Sequence, residues 1–220
     1  GFGIFIMTAL PFLMPSYGEA VTLSGLLALT SSSVAMFKYR KYITWKRLLP
    51  ILATFLFVST LAIFMLKRIE GRTMRMILGM VLIFISLYFS FLKDKIQKLV
   101  RPNLKYQIGT GTVSGVMGGL FGMQGPPVVL YLINSEPDKE HYMGMIQTYA
   151  VASNIMMLGA RAYNGYLTPA VGEAYIYSLV ALAIGVLAGS WAFKSIPGKI
   201  FTYVVYSYIG VSGLVILLTA

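Results

Sequence analysis

Cysteine is absent from this 220-residue chain, so a disulfide framework, a thiolate metal site and a thiol nucleophile are all excluded. Histidine occurs once, as His141 in the charged stretch SEPDKEH, and one loop imidazole builds neither a metal centre nor a catalytic triad. Acids are scarce, with seven Asp and Glu against eighteen Lys and Arg, and no two acids face each other within an apolar segment. An intramembrane enzyme would need such a base or ligand set, so the chain is not read as an enzyme and no catalytic residue, metal or cofactor is expected. Charge of either sign makes up 11% of the residues, well below the roughly one quarter of soluble domains.

What the chain has instead is apolar sequence: 57% hydrophobic residues and a mean hydropathy of +0.76. This composition is that of an all-α, polytopic membrane protein. The net charge of +11 comes largely from short basic runs between apolar blocks, as in KYRKYITWKR (38–47), KRIEGRTMR (67–75) and KDKIQKLVRPNLK (93–105). Membrane topology is written in such runs, and nucleic acid is not an expected partner. Segments of about 20 apolar residues, enough to cross a bilayer, fall at 19–37, 46–66, 73–92, 142–162, 171–193 and 199–219. Residues 1–15 are short for a span, and 106–134 are too long and glycine-rich for one plain helix. The 38–47 and 93–105 loops carry five Lys and Arg each and are expected in the cytoplasm; SYGE (16–19) and SEPDKEH (135–141) are expected outside. The loop at 67–75 carries four and conflicts with simple alternation. Trp45, Trp191 and the fifteen tyrosines fit an interfacial belt.

The chain also repeats itself. An offset of 121 aligns Glu19 with Glu140, Ser32 with Ser153, Met36 with Met157, Arg40 with Arg161 and Tyr42 with Tyr163. With six further residues inserted, KRIEGR (67–72) meets KSIPGK (194–199). The reading is two homologous repeats of about four transmembrane segments each, 1–92 and 106–220, joined by the basic loop 93–105. Gly1 then falls on Gly122, and a counterpart of 104–121 is expected ahead of Gly1.

Within GTGTVSGVMGGLFG (109–122), Gly111, Gly115 and Gly119 recur every four residues and make a smooth face for close helix contact. Packing does not account for GMQGPP (122–127). Two prolines after Gly125 cannot continue a helix, so one helix is expected to stop near Gly122 and another to start near Pro126. Broken or re-entrant helices at membrane depth are tolerated where they are buried in protein or line a watery cavity, and matching breaks in two repeats point to a substrate site at the repeat interface. A packing kink is the plainer alternative.

GFGIFIMTALP, TSSSVAMFKYRKYITWK (30–46), GLFGMQGPPVVLYL (119–132) and VASNIMMLGARAYNGYL (151–167), in this order and duplicated, resemble the sulfite exporter (TauE/SafE) family of membrane permeases. The resemblance covers nearly the whole chain. It implies a multi-pass protein of a bacterial or archaeal plasma membrane that carries small sulfur-containing anions, among them sulfite, organosulfonates and thiosulfate. Membrane lipid would be its other partner.

The candidate binding residues are Gly1 and Gly3 at the first break, Gly122, Gln124, Gly125 and Pro126 at the second, and polar positions on the paired second spans. Those positions are Ser31, Ser32, Ser33, Gln147, Ser153 and Asn154. Hydroxyls in membrane helices often bond only to their own backbone. Arg161, like Arg40, ends a second span, where a snorkelling anchor competes with an anion-attracting guanidinium at a cavity mouth. Glu19 and Glu140 read as solvated charges at helix starts, and Glu173 as interfacial. The function expected is a secondary transporter for small anions, working by alternating access at a central site between the repeats. An anion channel, or a structural membrane subunit without transport of its own, is the alternative.

Overall fold

A computed structural model of the protein describes residues 6–66, 68–69, 71–87, 103–136, 138–195 and 198–219. Gly1 and Gly3 lie outside the described residues. Every regular element among those described is helical: α1 (Leu10–Leu13), α2 (Tyr17–Tyr39), α3 (Trp45–Leu66), α4 (Gly71–Leu87), α5 (Leu104–Phe121), α6 (Gly125–Ser135), α7 (Lys139–Tyr163), α8 (Pro169–Ser195) and α9 (Gly198–Thr219), with one 3-10 turn at Arg40–Tyr42. All six expected spans are thus helical where they are described. By length and composition, Tyr17–Tyr42 and Trp45–Leu66 are long and apolar enough to cross a membrane. Pro169–Gly185 and Ser207–Leu218 are shorter apolar stretches.

Helix starts follow from capping side chains. The hydroxyl of Ser16 accepts the Glu19 N–H at 3.3 Å, the Asn103 side chain accepts from Tyr106 N–H at 3.0 Å, and Asp138 accepts from His141 N–H at 2.9 Å. Each satisfies a donor that the first helical turn would otherwise leave bare. Packing then follows the glycines. A Cβ on Gly111, Gly115 or Gly119 would stand 2.6 Å from the Ile51 carbonyl, 3.1 Å from that of Phe55 or 2.8 Å from that of Ser59, so α5 lies backbone to backbone along α3 and parallel to it. Gly79 and Gly213 bring antiparallel α4 and α9 together in the same way.

Helices α2 and α7 pair antiparallel, with Val21 beside Arg161 near one end and Tyr39 against Gly144 near the other. The second of these ends gathers the start of α3, the start of α5, the end of α6 and the start of α7. Arg47 donates to the Ser135 carbonyl and pairs with Glu136 at 3.3 Å, and Tyr42 stacks edge-on with His141 at 5.4 Å. It is the basic end, carrying Lys38, Arg40, Lys41, Lys46, Arg47, Lys105 and Lys139.

These contacts correct the expected sidedness. Ser135, Glu136 and His141 of the SEPDKEH stretch lie at the same end as the 38–47 loop, not opposite it. The cause is that α5 and α6 do not add up to a crossing: α5 rises from the basic end, the chain turns at 122–124, and α6 returns to that end as the second arm of a hairpin. Gln107 donating to the Tyr131 hydroxyl at 2.9 Å, and Ser114 donating to the Gln124 carbonyl, tie the two arms together.

Candidate functional site

The hairpin tip is built by three residues. Gly122 takes the left-handed conformation (φ 68°), open at no steric cost to glycine, and lets the N–H groups of Gly122 and Met123 turn back to the Gly118 and Met117 carbonyls at 3.0 and 3.2 Å. Gln124 is the N-cap of α6, and Gly125, Pro126 and Pro127 form its first turn. Four N–H groups are normally free at a helix start. Two of the four positions here are proline, so only Gln124 and Gly125 retain a backbone donor. Donors for a ligand at this tip must come mostly from side chains.

Those side chains meet in a cleft of about 250 Å³ between α2, the tip and α7. Ser31, Ser32, Gly122, Gln124, Gly125, Pro126, Gln147 and Asn154 all line it. Three distant stretches of sequence, each named above as candidate ligand contacts, therefore converge on one space. The cleft runs from the tip toward the basic end, and among the described residues no charged side chain lines it.

Its hydrogen bonding is incomplete. Ser31 donates to the Ala28 carbonyl at 3.0 Å and Asn154 to the Ala150 carbonyl at 2.7 Å, the local back-bonding usual for polar residues in helices. Gln124, 7% exposed, reaches Ser153 at 3.4 Å through Nε2, while its Oε1 is buried with no partner. A buried amide oxygen without a donor costs about 1–3 kcal/mol, while the Nε2 of the same side chain, held only by a long bond to Ser153, is the end that can donate to an anion.

Three of the described candidates stand apart from the cleft. Ser33 donates to its own helix at Leu29, and Ser153 is fully buried behind Gln124. Arg161 is neither a snorkelling anchor nor a group at a cavity mouth: it is 0% exposed. Its Nη1 donates to the Val21 carbonyl at 3.1 Å and its Nη2 to the Gly118 carbonyl at 2.8 Å. The guanidinium thus caps the C-terminal turn of α5, where the helix dipole is negative. Gly25 makes room for it, since Arg161 Nη1 and Asn154 Oδ1 lie 3.2 and 3.5 Å from the point a Gly25 Cβ would occupy. Arg40 stays exposed.

The tyrosines also divide. Tyr149, 1% exposed, lines the cleft and shares a 2.5 Å hydrogen bond with Ser114, so it belongs to the site and not to an interfacial belt. Its place on the Ile146, Gln147, Ala150 and Asn154 side of α7 was the available signal. Glu19 is not solvated: its carboxylate, 8% exposed, accepts from Thr168 at 2.6 Å and Ser16 at 2.8 Å. Glu140 and Glu173 are exposed.

A helical protein whose broken hairpin presents a neutral polar cleft between long apolar helices has the build of a membrane carrier of small solutes. The family profile described as Sulfite exporter TauE/SafE matches residues 1–216, and the chain belongs to that family. It is accordingly a membrane protein of a transporter family for sulfur-containing anions. No curated protein and no solved structure matches the chain.

Proposed function

We propose that the cleft at the hairpin tip is the substrate site, and that the protein carries a small sulfur oxyanion across the cell membrane by alternating access. The observation that carries this reading is the convergence of Ser31, Ser32, Gln124, Gln147 and Asn154, from three separate stretches, around the start of α6. The positive end of a short helix and four hydroxyl or amide side chains beside Gln124 offer hydrogen bonds to oxygen atoms without trapping them in a salt bridge. A carrier must release what it binds, and a site without a lining charge favours release.

The proposed repeats, 1–92 and 106–220 around the 93–105 connection, are inverted. With the hairpin returning to its own side, each repeat has three crossing helices, an odd number, so the second copy runs upside down. Support comes from the antiparallel pairs α2 with α7 and α4 with α9, which are counterparts under the sequence offset. It comes also from α8 leaning on α2 as α3 leans on α7. Inverted repeats let one half rock against the other around a fixed central site. The basic end faces the cytoplasm in this reading, since among the described residues the opposite end carries only Arg68, Arg72 and Arg75 in its loop and first turn. Arg68, Arg72 and Arg75 then lie outside, where simple alternation of the spans puts them, against the charge rule.

The test is counterflow in proteoliposomes with sulfite, thiosulfate, organosulfonates and small carboxylates. Gln124→Ala and Asn154→Ala are expected to cut flux of the preferred sulfur anion at least about tenfold, about 1.4 kcal/mol, with unchanged folding by circular dichroism. Wild-type flux in both variants sinks the site assignment.

A further inference from the structure

We propose that the site selects singly charged sulfur oxyanions, hydrogensulfite and alkanesulfonates, over dianions such as sulfite, sulfate and thiosulfate. The inference rests on the cleft being the anion site. Its basis is a count of charge among the described residues: those that line the cleft are neutral, and one fixed cation, Arg161, is buried behind it. Asn154 lines the cleft, and its Oδ1 and the Arg161 Nη1 lie 3.5 and 3.2 Å from one point, the place a Gly25 Cβ would take, so the guanidinium is close behind the cleft wall.

The charge of Arg161 is not neutralised by an acid. Its hydrogen-bond partners are the Val21 and Gly118 carbonyl oxygens and the Met157 sulfur, its Nε has no partner, and among the described residues no carboxylate lies within 4.0 Å of it. The ionisable groups nearest in sequence to Val21 on α2 are Tyr17 and Glu19. Glu19 is held at both oxygens by Ser16 and Thr168, and the Tyr17 hydroxyl is buried without a partner. On the cleft side the ionisable lining residue is Tyr149, whose hydroxyl is engaged with Ser114.

A buried net charge costs several kcal/mol in a medium of low polarity. The empty site carries one positive charge, offset in part by the negative end of α5. One monoanion brings the sum near zero; a dianion leaves a net negative charge and restores a penalty of the same kind. Hydrogensulfite and alkanesulfonates share the compact sulfur–oxygen head that the hydroxyl and amide donors can surround.

The purified protein in detergent is titrated calorimetrically with methanesulfonate, a monoanion, with sulfate, a dianion, and with sulfite over a range of pH. Methanesulfonate is expected to bind about a hundredfold more tightly than sulfate, with an affinity that does not follow pH. Sulfite affinity should rise as the pH falls, in proportion to its hydrogensulfite fraction. Gln147→Lys, which adds a second positive charge at the cleft, should raise sulfate affinity about tenfold or more. Sulfate binding within about threefold of methanesulfonate, or sulfate affinity unmoved in Gln147→Lys, overturns the charge selection and leaves the site standing. Absence of binding by every anion removes the site itself, and the selection with it.

Discussion

The α2 and α7 pair is closed at both ends, by different chemistry. At the basic end the contact is backbone to backbone: a Cβ on Gly144 would stand 2.8 Å from the Tyr39 carbonyl and 3.3 Å from Tyr42. At the opposite end polar side chains do the joining, with Arg161 of α7 reaching across to Val21 and Thr168, in the loop that follows α7, donating to Glu19. A glycine contact is set by van der Waals distance and tolerates no change of spacing. Directional hydrogen bonds can be exchanged for others in one step. The two ends are therefore expected to respond differently to substitution, the glycine end to added volume and the polar end to the loss of a hydrogen-bonding side chain.

Arg161→Ala tests that contrast most severely. It removes two charge-assisted bonds and empties the volume of a fully buried side chain, and is expected to cost about 3 kcal/mol of stability. Thermal unfolding in detergent, read together with flux, checks it; a melting profile equal to wild type would show that Arg161 does not hold the polar end. Gly144→Val should cost about 2 kcal/mol, because both neighbours it would meet are fixed close to backbone. Gly159→Ala on the same helix is its control: a Cβ there meets nothing within 4 Å, and replacing a helical glycine should stabilise by about 0.5–1 kcal/mol. Equal losses in the two variants would show that the close contact at Gly144 does not hold the basic end together. Thr168→Val removes one hydroxyl from Glu19 and should cost about 1 kcal/mol, with Ser16 still in place.

Sequence and structure agree where one residue type has one physical use. Gly111, Gly115 and Gly119 form the close face against α3, and the break falls between Phe121 and Gly125, where glycine and proline permit nothing else. The polar cleft residues were readable because apolar helices hold few such groups. The hairpin was not readable in the same way, since 106–134 has the length for more than one helix but nothing local states whether its second arm continues or returns. Parity, and with it the side of every later loop, hangs on that turn. Arg161 misled for another reason. In sequence it is the equivalent of Arg40, yet Arg40 ends in an exposed 3-10 turn while Arg161 lies beneath the hairpin, and only Gly25 and Gly118 on other helices make that place available.

The smallest expected effect is at the basic end, at the start of α7. His141 donates its backbone N–H to Asp138 at 2.9 Å and places its ring Nδ1 at 2.9 and 3.0 Å from the same carboxylate. Those bonds to His141 hold the Asp138 carboxyl below its ordinary value of 3.8. A depressed carboxyl stabilises the folded state fully above the unfolded value, and the contribution is lost as the pH falls through the folded one. Asp138→Asn keeps an N-cap acceptor and removes the titration. Wild type should therefore lose melting temperature slightly more than Asp138→Asn as the pH is taken below 3.8, and the two should run parallel above it. A gap between the two that stayed the same over the whole pH range would show that ionisation of Asp138 contributes nothing at this helix start.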